Sequence, residues 1–479
     1  MPEHVEYNQV DENYLHQRQL KRGAAGWLLL AGLGVSYVIS GDFAGWNFGL
    51  AEGGWGGLLI ATVLMAVMYG CMVFGLAEMS SAMPVAGAGY GFARRALGPL
   101  GGFATGIAIL IEYAIAPAAI ATFIGGYIET LGLFGLTNSW PVFLACYVIF
   151  IGIHLYGVGE ALRLMFGITA IAVVALVAFV VGMIPKVSFA NLFDIVPDTT
   201  AAGASDFLPF GIAGAMAALV YGIWFFLAIE GVPLAAEEAR DPKKDMPKGI
   251  IAGMGALVVF AALILVVAPG AAGSSAIANS DNPLPAAVRA AYGGDNFLAQ
   301  LVNYVGLAGL VASFFSIMYA YSRQLFALSR AGYLPRWLSK TGSRKTPYLA
   351  LIVPGTIGFV LAAATRDGAL LINIAVFGAT VSYVLLNLSH IVLRIREPRL
   401  ERPYRTPGGI ATTSVALVLA VAAVIATFIV DMVAAAITAA IFVAALGYFW
   451  FYSRHRLVAA APEEEFAAVR MAEHDLDRE

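Results

Sequence analysis

The sequence predicts an all-α membrane protein of about twelve transmembrane helices, on three observations. Of 479 residues, 60% are hydrophobic and only 12% are charged, with a mean hydropathy of +0.80. A single water-soluble core has no room for that much apolar surface. Apolar runs long enough to cross ~30 Å of hydrocarbon, at about 20 residues each, recur along the whole chain. The basic residues then fall on one side. With both termini cytoplasmic, only Lys186, Arg289 and Arg366 lie in outer loops, leaving 25 of the 28 Lys and Arg in the tails and inner loops. That asymmetry predicts a multi-pass protein of the plasma (inner) membrane and discards the reverse topology.

The runs begin near Gly26, Trp55, Gly101, Trp140, Arg163, Phe207, Ile250, Leu298, Tyr348, Ala369, Ile410 and Met432. Residues 1–22 form a polar cytoplasmic tail with no apolar core ahead of a cleavage site, so no removable signal peptide is expected. Residues 23–456 form the membrane domain: spans one to five at 25–185, six to ten at 207–396, and eleven and twelve at 409–455. Residues 457–479 form a second polar tail, and both tails read as mobile. Two long outer loops, 186–206 and 271–297, carry acids whose simplest role is solvation.

The first run contains Val38-Ile39-Ser40-Gly41-Asp42-Phe43-Ala44-Gly45-Trp46. An acid inside a span costs roughly 2.5–3.5 kcal/mol on insertion scales, so Asp42 needs a compensating role. The glycines allow the helix to open there and expose amides and carbonyls to a mid-membrane cavity. Asp42 can serve as the counter-charge of a cationic substrate, or cap free amides of the half-helix beyond the break. With about four acceptor sites on a carboxylate, the two roles are compatible.

The third run places Glu112 in Leu110-Ile111-Glu112-Tyr113-Ala114, about twelve residues or ~18 Å into the span. It reads as an electrostatic or proton-handling group, with polar packing as the alternative. The sixth run repeats the peculiarity of the first, an acid beside glycine in Ala228-Ile229-Glu230-Gly231. Interrupted segments at corresponding positions of two five-helix halves point to an inverted repeat with its site between the broken helices. Spans eleven and twelve are additions to it. Glu230 can gate, carry a proton, pair with a cation, or bond free backbone at the break. Three acids converging on one cavity would over-favour a monovalent cation unless one or two are protonated, which predicts proton coupling or exchange. Trp224, Phe225 and Phe226 precede the sixth-span break and either cover the substrate through cation-π contact worth ~0.5–2 kcal/mol or simply pack.

Other features point away from further chemistry. Cys71 and Cys146 read as small buried hydrophobes, and His154 and His390 have no neighbouring metal ligands. No cofactor or metal is expected. The basic residues mark topology and form no nucleic-acid stripe, and no Walker loop or nucleophile elbow is present, so the enzyme reading has no support. Gly98, Gly102 and Gly106 predict close helix packing.

Four stretches carry a family resemblance. Glu78-Met79-Ser80-Ser81-Ala82-Met83-Pro84-Val85-Ala86-Gly87-Ala88-Gly89-Tyr90-Gly91-Phe92, running on to Leu97-Gly98-Pro99-Leu100-Gly101-Gly102-Phe103, resembles the second-span signature of the amino acid/polyamine/organocation transporter superfamily. Glu230-Gly231, then Ala236-Glu237-Glu238-Ala239-Arg240-Asp241-Pro242 and Asp245-Met246-Pro247-Lys248, resembles its sixth span and following loop. The segment from Ser322 to Pro335 and the loop Arg402-Pro403-Tyr404-Arg405-Thr406-Pro407-Gly408-Gly409 fit it too. Within the superfamily, Gly34 to Asp42 and Gly45-Trp46-Asn47-Phe48-Gly49-Leu50 most resemble the ethanolamine permeases.

The resemblance implies a LeuT-type fold, alternating access, and a small organic amine bound between the first, third, sixth and eighth spans. In amino acid carriers of the superfamily the first-span break is typically Gly-Ser-Gly, whose amides hold the substrate carboxylate. The aligned residues here are Ser40-Gly41-Asp42, and a carboxylate in that position repels an amino acid. A primary ammonium without a carboxylate fits better, and ethanolamine is such a molecule. Ser40, Tyr113 and Ser316 are candidate partners for its hydroxyl. The backbone of Ser40, Gly41 and Ala228, Ile229, Glu230 and Gly231 is expected to shape the pocket. The fifth-span lysine that replaces sodium in some proton-coupled members is missing from Ile168-Thr169-Ala170-Ile171-Ala172, which leaves H+ and Na+ both open on the residues, while the superfamily resemblance implies H+ as the coupling ion. Ser313 and Ser316 offer oxygens to sodium, although hydroxyls in apolar spans usually bond back to their own helix. An amino acid or polyamine exchanger is the alternative within the class, and a membrane amine sensor the alternative outside it.

Overall fold

A computed structural model of the chain describes residues 5–8, 10, 13–16, 25–84, 87–132, 139–156 and 158–464. Val85 and Ala86 of the second-span signature, and the acidic tail beyond Glu464, lie outside the described residues. Among those described, ten helices are long and apolar enough to cross a membrane. Two shorter apolar helices, Trp27–Val38 and Trp140–Tyr156, stand where the first and fourth spans are expected.

The first span is built in pieces: Trp27–Val38, Ser40–Phe43 and residues 48–53. The helix Phe48–Ala82 is not one rod. Gly54 has φ +66° and Gly49 lies against the Leu58 side chain, which a continuous helix would hold ~13 Å further along its axis. The chain therefore reverses at Gly54, and the second span begins at Trp55, where the apolar run starts. In Gly89–Thr130, Gly98 at φ +83° separates a short helix, 89–97, from the third span proper. Of the three glycines expected to permit close packing, Gly98 has open space around it and serves the bend. Gly102 abuts the Arg94 backbone and Gly106 abuts Leu328 and Gln324, so these two do allow close approach.

The fourth span is Trp140–Tyr156 and the fifth Val158–Met183. The sixth comprises Gly211–Ala217, Leu219–Trp224 and the 3-10 helix Ile229–Glu238. The seventh to twelfth are Pro242–Ala272, Phe297–Arg330, Tyr348–Thr365, Gly368–Arg396, Ile410–Val430 and Met432–Phe451.

Packing among the first ten helices obeys an exchange of five. The first packs on the seventh as the sixth packs on the second. The third packs on the tenth as the eighth packs on the fifth, while the second–seventh, third–eighth and fourth–ninth contacts map onto themselves. This pseudo-twofold pattern, with the broken first and sixth helices at its centre, is the LeuT-type inverted repeat. The eleventh helix shows how such a bundle meets lipid. Small Ala416, Ala420, Ala423 and Ala426 face the tenth and second spans, and Val418, Val421, Ile425 and Ile429 face outward.

At the end of the bundle that carries the termini, parts of both tails are folded. The Glu6 amide donates to the Arg454 carbonyl at 2.7 Å and the Asn8 amide to the Leu457 carbonyl at 2.8 Å. Tyr14 donates its hydroxyl to the Arg330 carbonyl at 2.8 Å. Glu464 is fully buried and pairs with Arg94 at 2.8 Å.

Candidate substrate and ion site

The two broken helices cross at Gly41 and Trp224. A Cβ on Gly41 would stand 2.4 Å from the Trp224 carbonyl oxygen, so only glycine allows the backbones to approach this closely. Gly41 itself is helical, and the wide opening of the first span comes three residues later. Ala44 is extended and Gly45 takes φ +94°. The sequence pattern marked the right helix and set its break slightly early, because Gly45 is the glycine used for its left-handed backbone.

Breaking a helix inside a membrane leaves carbonyls that must be satisfied by protein. Tyr127 donates its hydroxyl to the Phe43 carbonyl at 3.0 Å, and the Trp224 indole N–H donates to the Ala44 carbonyl at 2.9 Å. Asn47 is fully buried, accepts from the Gly45 amide at 3.1 Å and donates to the Ile277 and Ser280 carbonyls. It ties the break to the loop after the seventh span. The three expected gate aromatics diverge. Trp224 caps the first-span break, Phe225 stacks on Trp46 at 5.5 Å, and Phe226 meets Tyr69 at 5.5 Å.

In the sixth helix the turn at 225–228 ends on Ala228, whose φ of +79° is uncommon for a residue with a side chain. The amides that follow are not open. Ile229 donates to the Phe226 carbonyl at 3.3 Å and Gly231 to the Ala228 carbonyl at 3.0 Å.

Of the three acids expected to converge, two do. Tyr113 donates its hydroxyl to Glu230 Oε1 at 2.9 Å, and the Tyr383 hydroxyl lies 3.2 Å from Glu230 Oε2 and 3.5 Å from Glu112 Oε1. Tyr69 bonds Tyr383 at 2.7 Å, closing a buried cluster of two carboxyls and three phenols. Asp42 stands apart. It is fully buried, and both carboxyl oxygens lack a hydrogen-bond partner among the described residues. It caps no half-helix amide.

The candidate hydroxyls are engaged. Ser40 bonds Ser313 at 2.8 Å, Ser316 bonds Ser36, and Ser313 donates to the Tyr37 carbonyl. The eighth-span serines thus bond across to the first span, contrary to the usual habit of bonding back along their own helix, because the helices meet there. Sequence reading missed Asn47, Tyr69, Tyr127 and Tyr383. A phenol or amide inside an apolar run was the available signal, but its partner is far away in sequence.

The superfamily motifs meet at the terminus-bearing end. Glu78 pairs with Arg394 and with Arg402 at 2.9 Å, accepts the Thr406 amide at 2.7 Å, and lies 3.3 Å from His390. Arg323 pairs with Glu238 at 2.8 Å, and Arg330 with Glu237 at 3.2 Å. His390 also bonds Thr413 at 2.8 Å, and His154 stacks on Phe315 with ring centroids 3.7 Å apart.

Residues 28–459 match the family model for amino acid permeases. The chain belongs to the amino acid permease family. It is 31% identical over 406 residues to an uncharacterised transporter of Rhizobium meliloti, covering 83% of this chain and 85% of that one. It is 28% identical over 411 residues to a branched-chain amino acid permease of Bacillus subtilis, covering 82% and 85%. A methylthioribose transporter of the same organism is 27% identical over 399 residues, covering 78% and 80%. This member of the family is therefore a multi-pass membrane transporter, and its relatives' names span chemically different small molecules.

Proposed function

We propose that this permease imports a small organic amine lacking a carboxylate, with ethanolamine as the leading candidate, by proton-coupled alternating access in the plasma membrane with both termini cytoplasmic. The observation that carries the reading is Asp42: a fully buried carboxyl without a hydrogen-bond partner, one residue from the crossing of the broken helices. An uncompensated acid at that depth favours a cation and opposes a second carboxylate. Asp42 is the ammonium partner in this reading. Ser40, Gly41 and the turn ending at Ala228 frame the pocket, with Trp224 and Phe225 beside it. Glu112 and Glu230 serve the proton.

A second reading, a branched-chain amino acid carrier, is favoured by the name of one relative. Uptake of radiolabelled ethanolamine into proteoliposomes, with and without an inward proton gradient, separates the two when competed by leucine, alanine and putrescine in turn. Saturable, gradient-driven uptake resistant to all three supports the amine reading. Leucine uptake with no ethanolamine uptake replaces it.

A further inference from the structure

We propose that Glu112 and Glu230 share one proton within the cluster of Tyr113, Tyr383 and Tyr69, and that this is the proton moved with substrate. The inference rests on the proton-coupled reading above and names its site.

Counting hydrogens leads to it. The cluster holds four close polar contacts: Tyr113 to Glu230, Tyr69 to Tyr383, and Tyr383 to each carboxyl. Three phenol hydrogens serve at most three of these contacts. One added proton satisfies the fourth. Glu230 already accepts at both oxygens, from Tyr113 and from Tyr383, which makes it the carboxylate of the pair. Glu112 is then the acid, and its proton serves the oxygen of Tyr383, which in turn donates to Glu230.

The groups facing the pair come from four helices: Tyr37 of the first, Tyr69 of the second, Tyr113 of the third and Tyr383 of the tenth. The buried cation Arg323 is engaged by Glu238 at 2.8 Å. Neither carboxyl forms an ion pair with a basic side chain among the described residues, so a proton is the cation available to relieve their repulsion.

Position gives the pair its consequence. Glu230 sits two residues beyond the strained Ala228, whereas Glu112 belongs to the continuous third helix. A turn of the sixth helix at its break draws the carboxyls apart. The link through the Tyr383 hydroxyl is then lost, and with it the reason for the proton to stay. Proton release is thereby tied to movement of the segment that flanks the substrate pocket.

Two readouts test this on the full-length protein. Infrared spectroscopy at neutral pH is expected to show the carbonyl stretch of a buried protonated acid, absent in Glu112→Gln and present in Asp42→Asn. Persistence of that band in Glu112→Gln overturns the proposal. In proteoliposomes with a pH-sensitive dye, ethanolamine uptake by the wild type is expected to carry protons at a fixed ratio, and any residual uptake by Glu112→Gln to carry none. Equal proton movement in both proteins, or substrate uptake by the wild type without protons, overturns it as well. Tyr383→Phe, which removes the hydroxyl reaching both acids, is expected to shift the band without abolishing it, and an unshifted band counts against the cluster. If the wild type takes up no ethanolamine, the substrate reading fails while the infrared result still decides whether the pair holds a proton.

Discussion

Gly41 and Trp224 hold the two broken helices in backbone contact: a single added carbon on Gly41 would fall 2.4 Å from the Trp224 carbonyl oxygen. The rigid partner is backbone, so the clash cannot be relieved by a rotamer change. Gly41→Ala should cost about 1–3 kcal/mol through overpacking, and Gly41→Val more. The expected outcome is a membrane-inserted protein with a lowered melting midpoint and little or no uptake. Wild-type uptake by Gly41→Ala would mean that the two helices are further apart in the working protein.

Asp42→Asn keeps the shape of the side chain and removes its charge. Hydrogen bonds to charged groups are worth about 1.5–3 kcal/mol, so loss of the ammonium partner should raise the apparent KM for ethanolamine by ~10–150-fold. Because Asp42 bonds to no protein group among the described residues, the folded yield should hold or rise. Unchanged KM in Asp42→Asn would remove it from the substrate site.

The helical architecture was legible because hydropathy and charge asymmetry act over whole segments, and acids beside glycine at 41–42 and 230–231 marked the two interrupted helices. The finer geometry was not. Gly41 and Gly45 look equivalent in sequence, yet one is needed for close approach and the other for φ +94°, a distinction set by what lies opposite. Convergence of Glu112 with Glu230, and the separation of Asp42 from both, depend on how the third, sixth and tenth helices face one another. No periodicity encodes that. Tyr383 escaped notice for the same reason, since its partners lie 153 and 271 residues away.

Glu78 gathers Arg394, Arg402 and His390 around a carboxylate that is 2% exposed. Removing one member of a buried ion pair costs about 3–5 kcal/mol, because the remaining charge is stranded. Glu78→Ala should therefore lower the melting midpoint and the amount of folded protein. The KM of the surviving fraction should stay near wild type, since the cluster binds the second and tenth helices to the loop at 402–406 and touches none of the proposed pocket. A raised KM with normal stability would assign Glu78 to transport.

Glu464 and Arg94 form a second buried pair, and here the carboxylate comes from the C-terminal tail. Glu464 also accepts the Tyr333 hydroxyl at 3.0 Å and the Tyr7 hydroxyl at 3.2 Å, while Arg94 donates to Tyr7 at 2.7 Å. One carboxylate thereby joins both tails to the short helix at 89–97 and to the turn after the eighth span. Glu464→Ala should destabilise by about 3–5 kcal/mol, as should Arg94→Ala for the converse reason. The double variant strands neither charge, so its loss should fall short of the sum by ~0.5–3 kcal/mol. Melting midpoints of the four proteins in detergent measure the coupling. Strictly additive losses would mean that the tail does not fasten to Arg94 in solution.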